Sequence, residues 1–272
     1  MEDVTLIELK SVFGTCGAGN IKNVSFRLPN GKTYGIFSSR YADAVTLCAL
    51  MAGAHTPTEG TIFAGGFDLH REAKQARRGI GYLPANLLPD DELTPLEYLM
   101  AVADARELSF DKTLRYAHEL LELADLADKK DRLIASLSQG EKRILSICQL
   151  LLSKPEILIL TSPLAGVTPK DAERIRGFIR YLSDTYTIFI STPSAQDLRG
   201  MCSEILVLQD GSLKTVTAAN DESWTLEFPV VPPEDTPASN APKKRTNTRW
   251  NMLMQKSGGY EVIETDQEED EN

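Results

Sequence analysis

The chain has 272 residues, 42% of them hydrophobic and 25% charged, which is typical of a globular protein with a sizeable core. Its 29 Lys and Arg against 39 Asp and Glu give a net charge of −10, which argues against a nucleic-acid partner held by phosphate contacts. The four cysteines lie far apart and only three histidines occur, so neither a disulfide framework nor a metal site is predicted, and a reducing cytosol is the expected compartment. The first residues lack the pattern of a signal peptide, and no apolar run reaches the ~18 residues that a membrane span needs.

From the N-terminus onward, strand patterns alternate with helix patterns. Two segments of alternating apolar and polar residues are predicted as an antiparallel pair of strands: Val4–Leu9 and Val24–Leu28. Short apolar runs are predicted as strands buried on both faces: Tyr34–Phe37, Ile80–Leu83, Ile157–Leu160, Thr187–Ser191 and Ile205–Leu208. Helical patterns separate most of these strands: Ala42–Ala52, Pro95–Ala105, Asp111–Leu123, Ser138–Leu152 and Pro169–Leu182. The alternation predicts an α/β core with a mainly parallel sheet, interrupted by a helical insertion at about 86–135.

The last 44 residues differ in composition from the rest of the chain. Residues 229–272 contain five prolines, and their nine acidic against five basic residues give a net charge of −4. Such a segment cannot bury enough apolar surface to offset the entropy lost on ordering. The sequence therefore predicts a folded domain over 1–228 and a flexible extension over 229–272.

One segment has the chemistry of an anion site. Ser138 precedes a predicted helix and Glu141 follows it by three residues, which is the spacing of a capping box. Taken alone, this pattern indicates no more than a well-capped helix. A helix N-terminus that offers a hydroxyl group and a nearby glycine, Gly140, also suits a bound anion, and the buried strand that follows the helix favours this interpretation.

The ordered set of segments over about residues 2–217 resembles the nucleotide-binding domain of ATP-binding-cassette (ABC) transporters. Leu137–Glu141 resembles the family's signature motif and is called the signature segment below. Pro57–Gly60 resembles the segment after the family's P-loop helix, and Ile80–Pro84 with Asp91–Thr94 resembles its Q-loop region. The resemblance implies a P-loop NTPase-like ABC ATPase fold, with a mainly parallel sheet, an N-terminal antiparallel β subdomain and a helical insertion.

In this family the helical insertion docks on the transmembrane subunit. The resemblance therefore implies exposed apolar groups near Leu87, Leu88 and Tyr98. It also implies an aromatic residue that stacks on adenine. Phe13 is the candidate for that role, and a core position for Phe13 is an equally good interpretation.

The positions of the family's P-loop, Gly-x-x-Gly-x-Gly-Lys-Ser/Thr, fall on residues 38–45 when counted back without a gap from Gly53. The three glycines, the lysine and the magnesium-binding hydroxyl are replaced there by Ser38, Tyr41, Asp43, Ala44 and Val45. Glycines are needed in a P-loop because its backbone N–H groups close on the phosphates, and the lysine reaches the β- and γ-oxygens. The resemblance thus implies that this chain alone binds no nucleotide tightly.

Other chemical positions of the family are also replaced. Thr161 and Ser162 stand where the family has two carboxylates, one for magnesium and one to polarise the attacking water. Ala85 stands in place of a glutamine, Thr168 in place of an aspartate and Pro193 in place of a histidine. The sequence therefore predicts no catalytic residue and no independent ATP hydrolysis.

In the family, two cassettes dimerise head to tail, and each ATP lies between one P-loop and the other subunit's signature helix. The resemblance implies that Ser138, Gln139, Gly140 and Glu141 contact the ATP and magnesium site of an active partner cassette, so the expected assembly is a heterodimer with transmembrane permease subunits. The expected location is the cytoplasmic inner face of the membrane. The alternative is a scaffold or regulatory interaction protein that uses the ABC fold without nucleotide. A second rival, an ordinary ABC ATPase with an unrecognised site, is disfavoured by the missing residues.

Overall fold

A computed structural model of the chain describes residues 5–38, 40–198, 200–217, 224–227 and 260–263. The chain divides into two units, Met1–Thr215 and Val216–Asn272. The extension predicted over 229–272 lies outside the described residues, apart from Tyr260–Ile263. The boundary at residue 228 and the status of 86–135 as a subdomain stay predictions.

The strands and helices follow one another in the predicted alternation. The strands are β1 (Thr5–Cys16), β2 (Gly19–Pro29), β3 (Thr33–Ser38), β4 (Glu59–Ala64), β5 (Phe67–Asp68), β6 (Ile80–Leu83), β7 (Ile157–Thr161), β8 (Thr187–Thr192), β9 (Glu204–Gln209), β10 (Ser212–Thr217), β11 (Trp224–Glu227) and β12 (Tyr260–Ile263). The helices are α1 (Tyr41–Met51), α2 (Ala73–Ala76), α3 (Pro95–Ala105), α4 (Phe110–Leu123), α5 (Gln139–Leu151), α6 (Pro169–Ser183) and α7 (Ala195–Leu198). Short 3-10 turns lie at Arg77–Gly79, Ala127–Lys129 and Ile134–Ser136.

The N-terminal sheet has the strand order β2-β1-β4-β5, and its pairings are antiparallel. Strand β1 continues well past the predicted Val4–Leu9 because irregularities in its register, between Leu9 and Val12 and between Val12 and Gly14, absorb the break in alternation. Ser11 lies at the first of them with a positive φ of 48°. An alternation pattern alone cannot follow a strand through such bulges.

The larger sheet has the order β10-β9-β3-β8-β7-β6. Its pairings from β9 to β6 are parallel, so the predicted buried runs are confirmed as neighbouring strands of one sheet. The rings of Phe26 on β2 and Phe189 on β8 stack with centroids 6.4 Å apart and so join the two sheets. Helix α1 packs into the same core, where Leu47 and Leu50 are fully buried. Helix α1 follows β3 along the chain and also packs against β7 and β8, so its start lies near the carboxyl end of β3.

The segment 86–135 contains α3 and α4 as predicted, but it is not helical throughout. Residues 84–94 form turns and irregular backbone, because Pro84 and Pro89 lack the N–H group that a helix needs. Leu88 is 46% exposed as expected, whereas the expectation that Tyr98 is exposed is wrong, since its side chain is 8% exposed. Tyr98 lies on the same side of α3 as the buried Leu99, and burial raises its pKa to about 12.

In the second unit, β11 and β12 pair in parallel, with Trp224 opposite Tyr260. Neither strand was predicted from the sequence. Among the described residues, no helix combines the length and the apolar character that crossing a membrane requires.

Candidate functional site

The signature segment lies at the N-terminus of α5, with Ser138 as the N-cap residue. The Ser138 hydroxyl oxygen accepts from the Glu141 backbone N–H at 3.2 Å, and a Glu141 carboxylate oxygen accepts from the Ser138 N–H at 3.1 Å. This is the predicted capping box. Ser138 and Gln139 are exposed, whereas Gly140 is buried. The exposed end of α5 therefore offers the Ser138 hydroxyl and the positive end of the helix dipole to the surface.

Asp171, in the first turn of α6, lies directly against this helix end. Its Oδ1 accepts a hydrogen bond from the Ser138 hydroxyl at 3.0 Å, and its Oδ2 accepts one from the Thr168 hydroxyl at 3.1 Å. A Cβ atom built on Gly140 would lie 2.4 Å from the Asp171 Cβ, which is closer than real atoms approach. Position 140 thus requires glycine for the close contact between α5 and α6. Any side chain placed there would displace Asp171.

Glu141 points into the protein rather than toward the surface. It is 6% exposed, and its Oε1 accepts hydrogen bonds from the Lys129 ammonium at 2.5 Å and from the Arg174 guanidinium at 2.8 Å. Burial alone would raise the pKa of Glu141, but the hydrogen bonds from Lys129, the Ser138 N–H and Arg174 outweigh it and hold the pKa below its ordinary value. In this conformation Glu141 holds the signature segment and its carboxylate is fully engaged within the chain.

Each of the three consecutive residues 141–143 connects α5 to a different part of the chain. Beyond the contacts of Glu141, the Lys142 ammonium pairs with Asp91, which precedes α3. The Arg143 guanidinium donates to the Ala85 carbonyl oxygen at 3.1 Å, in the segment after β6. The start of α5 is therefore tied to the helical insertion and to the end of β6 by charged side chains that are themselves buried.

Replacing Arg174 by glutamine is expected to destabilise the protein by about 2 kcal/mol, because it removes one partner of the buried Glu141 carboxylate while Lys129 remains. The Arg174 guanidinium also loses its bonds to the Ala124 and Asp125 carbonyl oxygens. Urea unfolding followed by circular dichroism measures the change. Because the folded pKa of Glu141 is depressed, the difference from the parent should be full at neutral pH and shrink as the pH falls below 4.5, the ordinary value.

The matched control is Arg180→Gln on the same helix. Arg180 pairs with Glu173, and both side chains are more than half exposed, at 51% and 65%. An exposed pair of this kind contributes at most about 1 kcal/mol. Equal losses from the two variants would contradict a special role for the buried pair.

At the start of α1, which follows the carboxyl end of β3, the side chains form hydrogen bonds with one another and with nearby backbone. The Ser38 hydroxyl donates to the Arg40 carbonyl oxygen at 2.7 Å and accepts from the Arg40 N–H at 3.2 Å. The Arg40 guanidinium donates to the Ala18 carbonyl oxygen at 2.9 Å and lies 3.7 Å from the Asp43 carboxylate. Asp43 is 1% exposed, and its other oxygen accepts from the Asn20 N–H at 2.9 Å. These contacts join the start of α1 to the turn between β1 and β2.

That turn packs against α1 at contact distance. A Cβ built on Gly19 would lie 2.1 Å from the Thr46 hydroxyl oxygen and 2.2 Å from the Ala42 carbonyl oxygen. The Thr46 hydroxyl also contacts the Cys16 carbonyl oxygen at 3.3 Å. A buried carboxylate and a tightly apposed backbone at this place do not fit a nucleotide phosphate, which needs free N–H donors and a cation.

The carboxyl ends of β7 and β8 carry neutral polar groups. Thr161, Ser162 and Ser191 are buried there, and the Ser162 hydroxyl has no hydrogen-bond partner. Burial raises the pKa of the neighbouring Cys48 thiol to about 11, and the nearby Ser191 and Thr161 hydroxyls oppose the rise only in part. Nothing in this group ionises near neutral pH, so these strand ends supply no carboxylate for a magnesium ion.

Phe13, the candidate for adenine stacking, is partly buried on β1. Its carbonyl oxygen accepts from the Thr58 N–H at 2.9 Å, and it lies opposite Glu59 of β4. Its stacking role and the nucleotide contacts of Ser138, Gln139, Gly140 and Glu141 stay predictions. Within the described residues, no group of three or more His, Cys, Asp or Glu side chains could hold a metal ion.

The comparisons with known proteins agree with this architecture. The family model described as ABC transporter matches residues 21–165, which is more than half of the chain. The chain is 26% identical over 202 residues to the linearmycin resistance ATP-binding protein LnrL of Bacillus subtilis (strain 168), covering 74% of this chain and 65% of LnrL. It is 30% identical over 210 residues to the Nod factor export ATP-binding protein I of Rhizobium meliloti, covering 75% and 62%. It thus spans less than two thirds of the length of these curated relatives.

Solved structures show the same fold. The structure of an ATP-binding subunit of an ABC transporter aligns with a TM-score of 0.65 and 24% identity, covering 78% of this chain and 90% of that one. The dimeric ATP-binding cassette MJ0796 bound to ADP and Pi aligns with a TM-score of 0.67 and 22% identity, covering 79% and 100%. The chain therefore belongs to the ABC transporter family, and its fold is that of the family's ATP-binding cassette, as the sequence predicted.

Proposed function

We propose that this chain is a catalytically degenerate ATP-binding subunit of a membrane transporter, which lends its signature segment to the ATP site of an active partner cassette. ATP and magnesium would be held mainly by the partner's residues. Transmembrane permease subunits would complete the assembly on the cytoplasmic face of the membrane. The names of the relatives, a resistance ATP-binding protein and an export ATP-binding protein, support a role in transport.

The observation that carries the proposal is the set of internal contacts at the start of α1. The Asp43 carboxylate is buried at a position that the ungapped count assigns to the family's P-loop, and like charge in a sheltered site would repel a phosphate strongly. The N–H of Asn20 is engaged by Asp43, and the guanidinium of Arg40 is engaged by Ala18. The Asn20 N–H is therefore committed within the chain, and the Arg40 guanidinium is anchored there at one N–H group while its side chain stays 53% exposed.

The signature segment supports the second half of the proposal. Its helix end is capped and held rigid from within by Glu141, while Ser138 and Gln139 remain exposed. A partner's γ-phosphate could approach this end and receive the Ser138 hydroxyl, provided that the hydroxyl leaves Asp171. The N-terminus of a helix favours such an anion electrostatically, whereas the Asp171 carboxylate opposes it and has to turn away when the phosphate approaches.

The test of the first half is ATP turnover by the purified chain. We expect no magnesium-dependent hydrolysis above a blank, and we expect Ala44→Lys to restore none, because glycines and carboxylates are missing as well. The assay measures released phosphate. If the chain hydrolyses ATP and a substitution within residues 38–46 abolishes this activity, the proposal that the loop cannot bind nucleotide is wrong.

A further inference from the structure

The thiol of Cys16, at the end of β1, lies 3.1 Å from the His55 Nε2 atom. Cys16 is partly exposed and His55 is exposed, so solvent reaches the pair. At this distance the imidazole can accept the thiol proton, which is the arrangement of an activated nucleophile and its base. This pair takes no part in the function proposed above.

The backbone holds both residues in place. The Cys16 carbonyl oxygen is contacted by the Thr46 hydroxyl of α1. The His55 N–H donates to the Ala49 carbonyl oxygen at 3.2 Å, in the turn that ends α1. Gly53 in this turn has a φ of 67°, which allows the chain to reverse and bring His55 back toward β1. Two separate anchors on one buried helix thus fix the thiol against the imidazole.

The other three cysteines lack this setting. Burial raises the pKa of Cys48 to about 11 and that of Cys148 to about 12. Burial of its sulfur also raises the pKa of Cys202, a partly exposed residue, and a Cβ atom built on Gly35 of β3 would lie 2.9 Å from that sulfur. Buried thiols of this kind are inert toward reagents in solution. Among the described cysteines, Cys16 is therefore distinguished by the imidazole that lies against its thiol.

A cavity of about 240 Å³ has His55, but not Cys16, among its lining residues, so it lies on the histidine side of the pair. Its charged and titratable walls are Asp68, His70, Arg71 and Arg77. Asp68 accepts hydrogen bonds from the N–H groups of His70 and Arg71, which lower its pKa, so it stays an anion balanced by the Arg71 guanidinium 3.9 Å away. Two guanidinium groups against one carboxylate leave the cavity positive, which suits a ligand that carries carboxylates.

We infer that Cys16 and His55 form a thiol–disulfide exchange site for small, carboxylate-bearing disulfides such as oxidised glutathione. The Cys16 sulfur attacks one sulfur of the disulfide, its proton passes to His55, and the other half departs as a thiolate that takes the proton and becomes a free thiol. Cys16 is oxidised to a mixed disulfide while half of the reagent is reduced, so no further oxidant is needed. The cavity beside His55 receives the carboxylates of the attached group.

The experiment treats the full, reduced chain with oxidised glutathione and locates the adduct by intact-protein and peptide mass spectrometry. We expect one glutathione on Cys16 and none on Cys16→Ser. His55→Gln should react about tenfold more slowly at pH 7, because the variant lacks the base that takes the thiol proton. That difference should shrink between pH 7 and pH ~9, because hydroxide from the solvent then replaces the histidine as the base. Tyr82, which is coupled to Cys16 electrostatically, has its pKa raised by burial to about 12 and stays neutral over this range.

The control for histidine loss is His118→Gln on α4, which should react at the parent rate at every pH. The test of ligand class compares oxidised glutathione with uncharged hydroxyethyl disulfide on the parent and on Arg71→Gln, whose side chain is 85% exposed in the parent. Arg71→Gln should slow only the charged reagent. Modification of a different cysteine, an unchanged rate for His55→Gln across the pH range, or equal effects of Arg71→Gln on both reagents would overturn the inference. None of these outcomes depends on whether the chain serves a partner's ATP site.

Discussion

Ser138→Arg is expected to lower ATP turnover of the complex between this chain and an active partner cassette by about 100-fold or more. Loss of one positioned donor to a transferring phosphoryl group typically costs a factor of 10²–10³. The longer side chain at this exposed helix end would also hold the two cassettes apart. Turnover is measured on the purified complex. A complex in which the partner's own P-loop lysine is substituted gives the background rate.

The matched control is Thr94→Arg at the start of α3. Thr94 and Glu97 form a capping box of the same kind as Ser138 and Glu141, with bonds of 3.3 and 2.9 Å. Both substitutions lose an N-cap worth about 1 kcal/mol, so both should lower thermal stability by a similar amount. Thr94 belongs to the insertion that is expected to dock on the permease, so this variant controls for the loss of stability alone, and turnover of the Ser138 variant is measured at a temperature where both variants are folded. If the complex with the Ser138 variant assembles normally and hydrolyses ATP at the parent rate, the hypothesis of a shared ATP site is wrong. The alternative, a scaffold that uses the fold without nucleotide, is then favoured.

Gly140→Asp is a less direct test than the sequence alone suggests. The motif implies that a carboxylate at position 140 would face the partner's nucleotide. In the structure, the new side chain would first collide with Asp171, because their Cβ atoms would be 2.4 Å apart. A loss of turnover in that variant would therefore combine a displaced α6 with the intended repulsion.

Gly19→Ala is expected to destabilise the protein by about 3 kcal/mol. The added methyl group would lie 2.1 Å from the Thr46 hydroxyl oxygen and 2.2 Å from the Ala42 carbonyl oxygen, and the latter belongs to helix backbone that cannot rotate away. The turn between β1 and β2 must then shift away from α1, and the hydrogen bond between the Asn20 N–H and the Asp43 carboxylate is lost. Urea unfolding followed by circular dichroism measures the loss.

Gly17→Ala in the same turn is the control. Gly17 has a φ of 56°, so alanine there carries the cost of a left-handed conformation, about 1 kcal/mol, but no atom lies within 4 Å of the new methyl group. The two variants thus separate backbone conformation from close packing. Equal losses would show that the turn can leave α1 freely.

The parallel sheet could be predicted because its strands are short apolar runs buried on both faces. Thr33–Ser38 and Ile157–Thr161 are buried at every position, so each gives an uninterrupted signal. The antiparallel sheet was predicted only in part. Bulges near Ser11 and Asn23, both with positive φ, interrupt the alternation of β1 and β2, and β5 has only two residues.

Ser138 and Glu141 could be found in the sequence because the two residues of a capping box are only three positions apart. Asp171, Arg174 and Lys129 were missed because their contacts with the signature segment span 33, 33 and 12 residues along the chain. Asp171 also contacts Thr168, the N-cap residue of α6, three residues before it. Its second contact, with Ser138, depends on how two helices pack, which no local pattern contains.

The internal contacts at the start of α1 also bear on whether the stability of the folded state depends on a ligand in solution. A protein that binds a ligand only when folded gains stability by mass action, about 2.7 kcal/mol when the ligand is present at 100 times its Kd. Here the contacts of Ser38, Arg40 and Asp43 supply from within the chain what a bound phosphate would supply from outside. On the proposed function, the folded population of the isolated subunit would therefore not depend on the ATP concentration. Such a subunit would keep its stability when ATP falls, whereas a nucleotide-stabilised partner would lose part of its own.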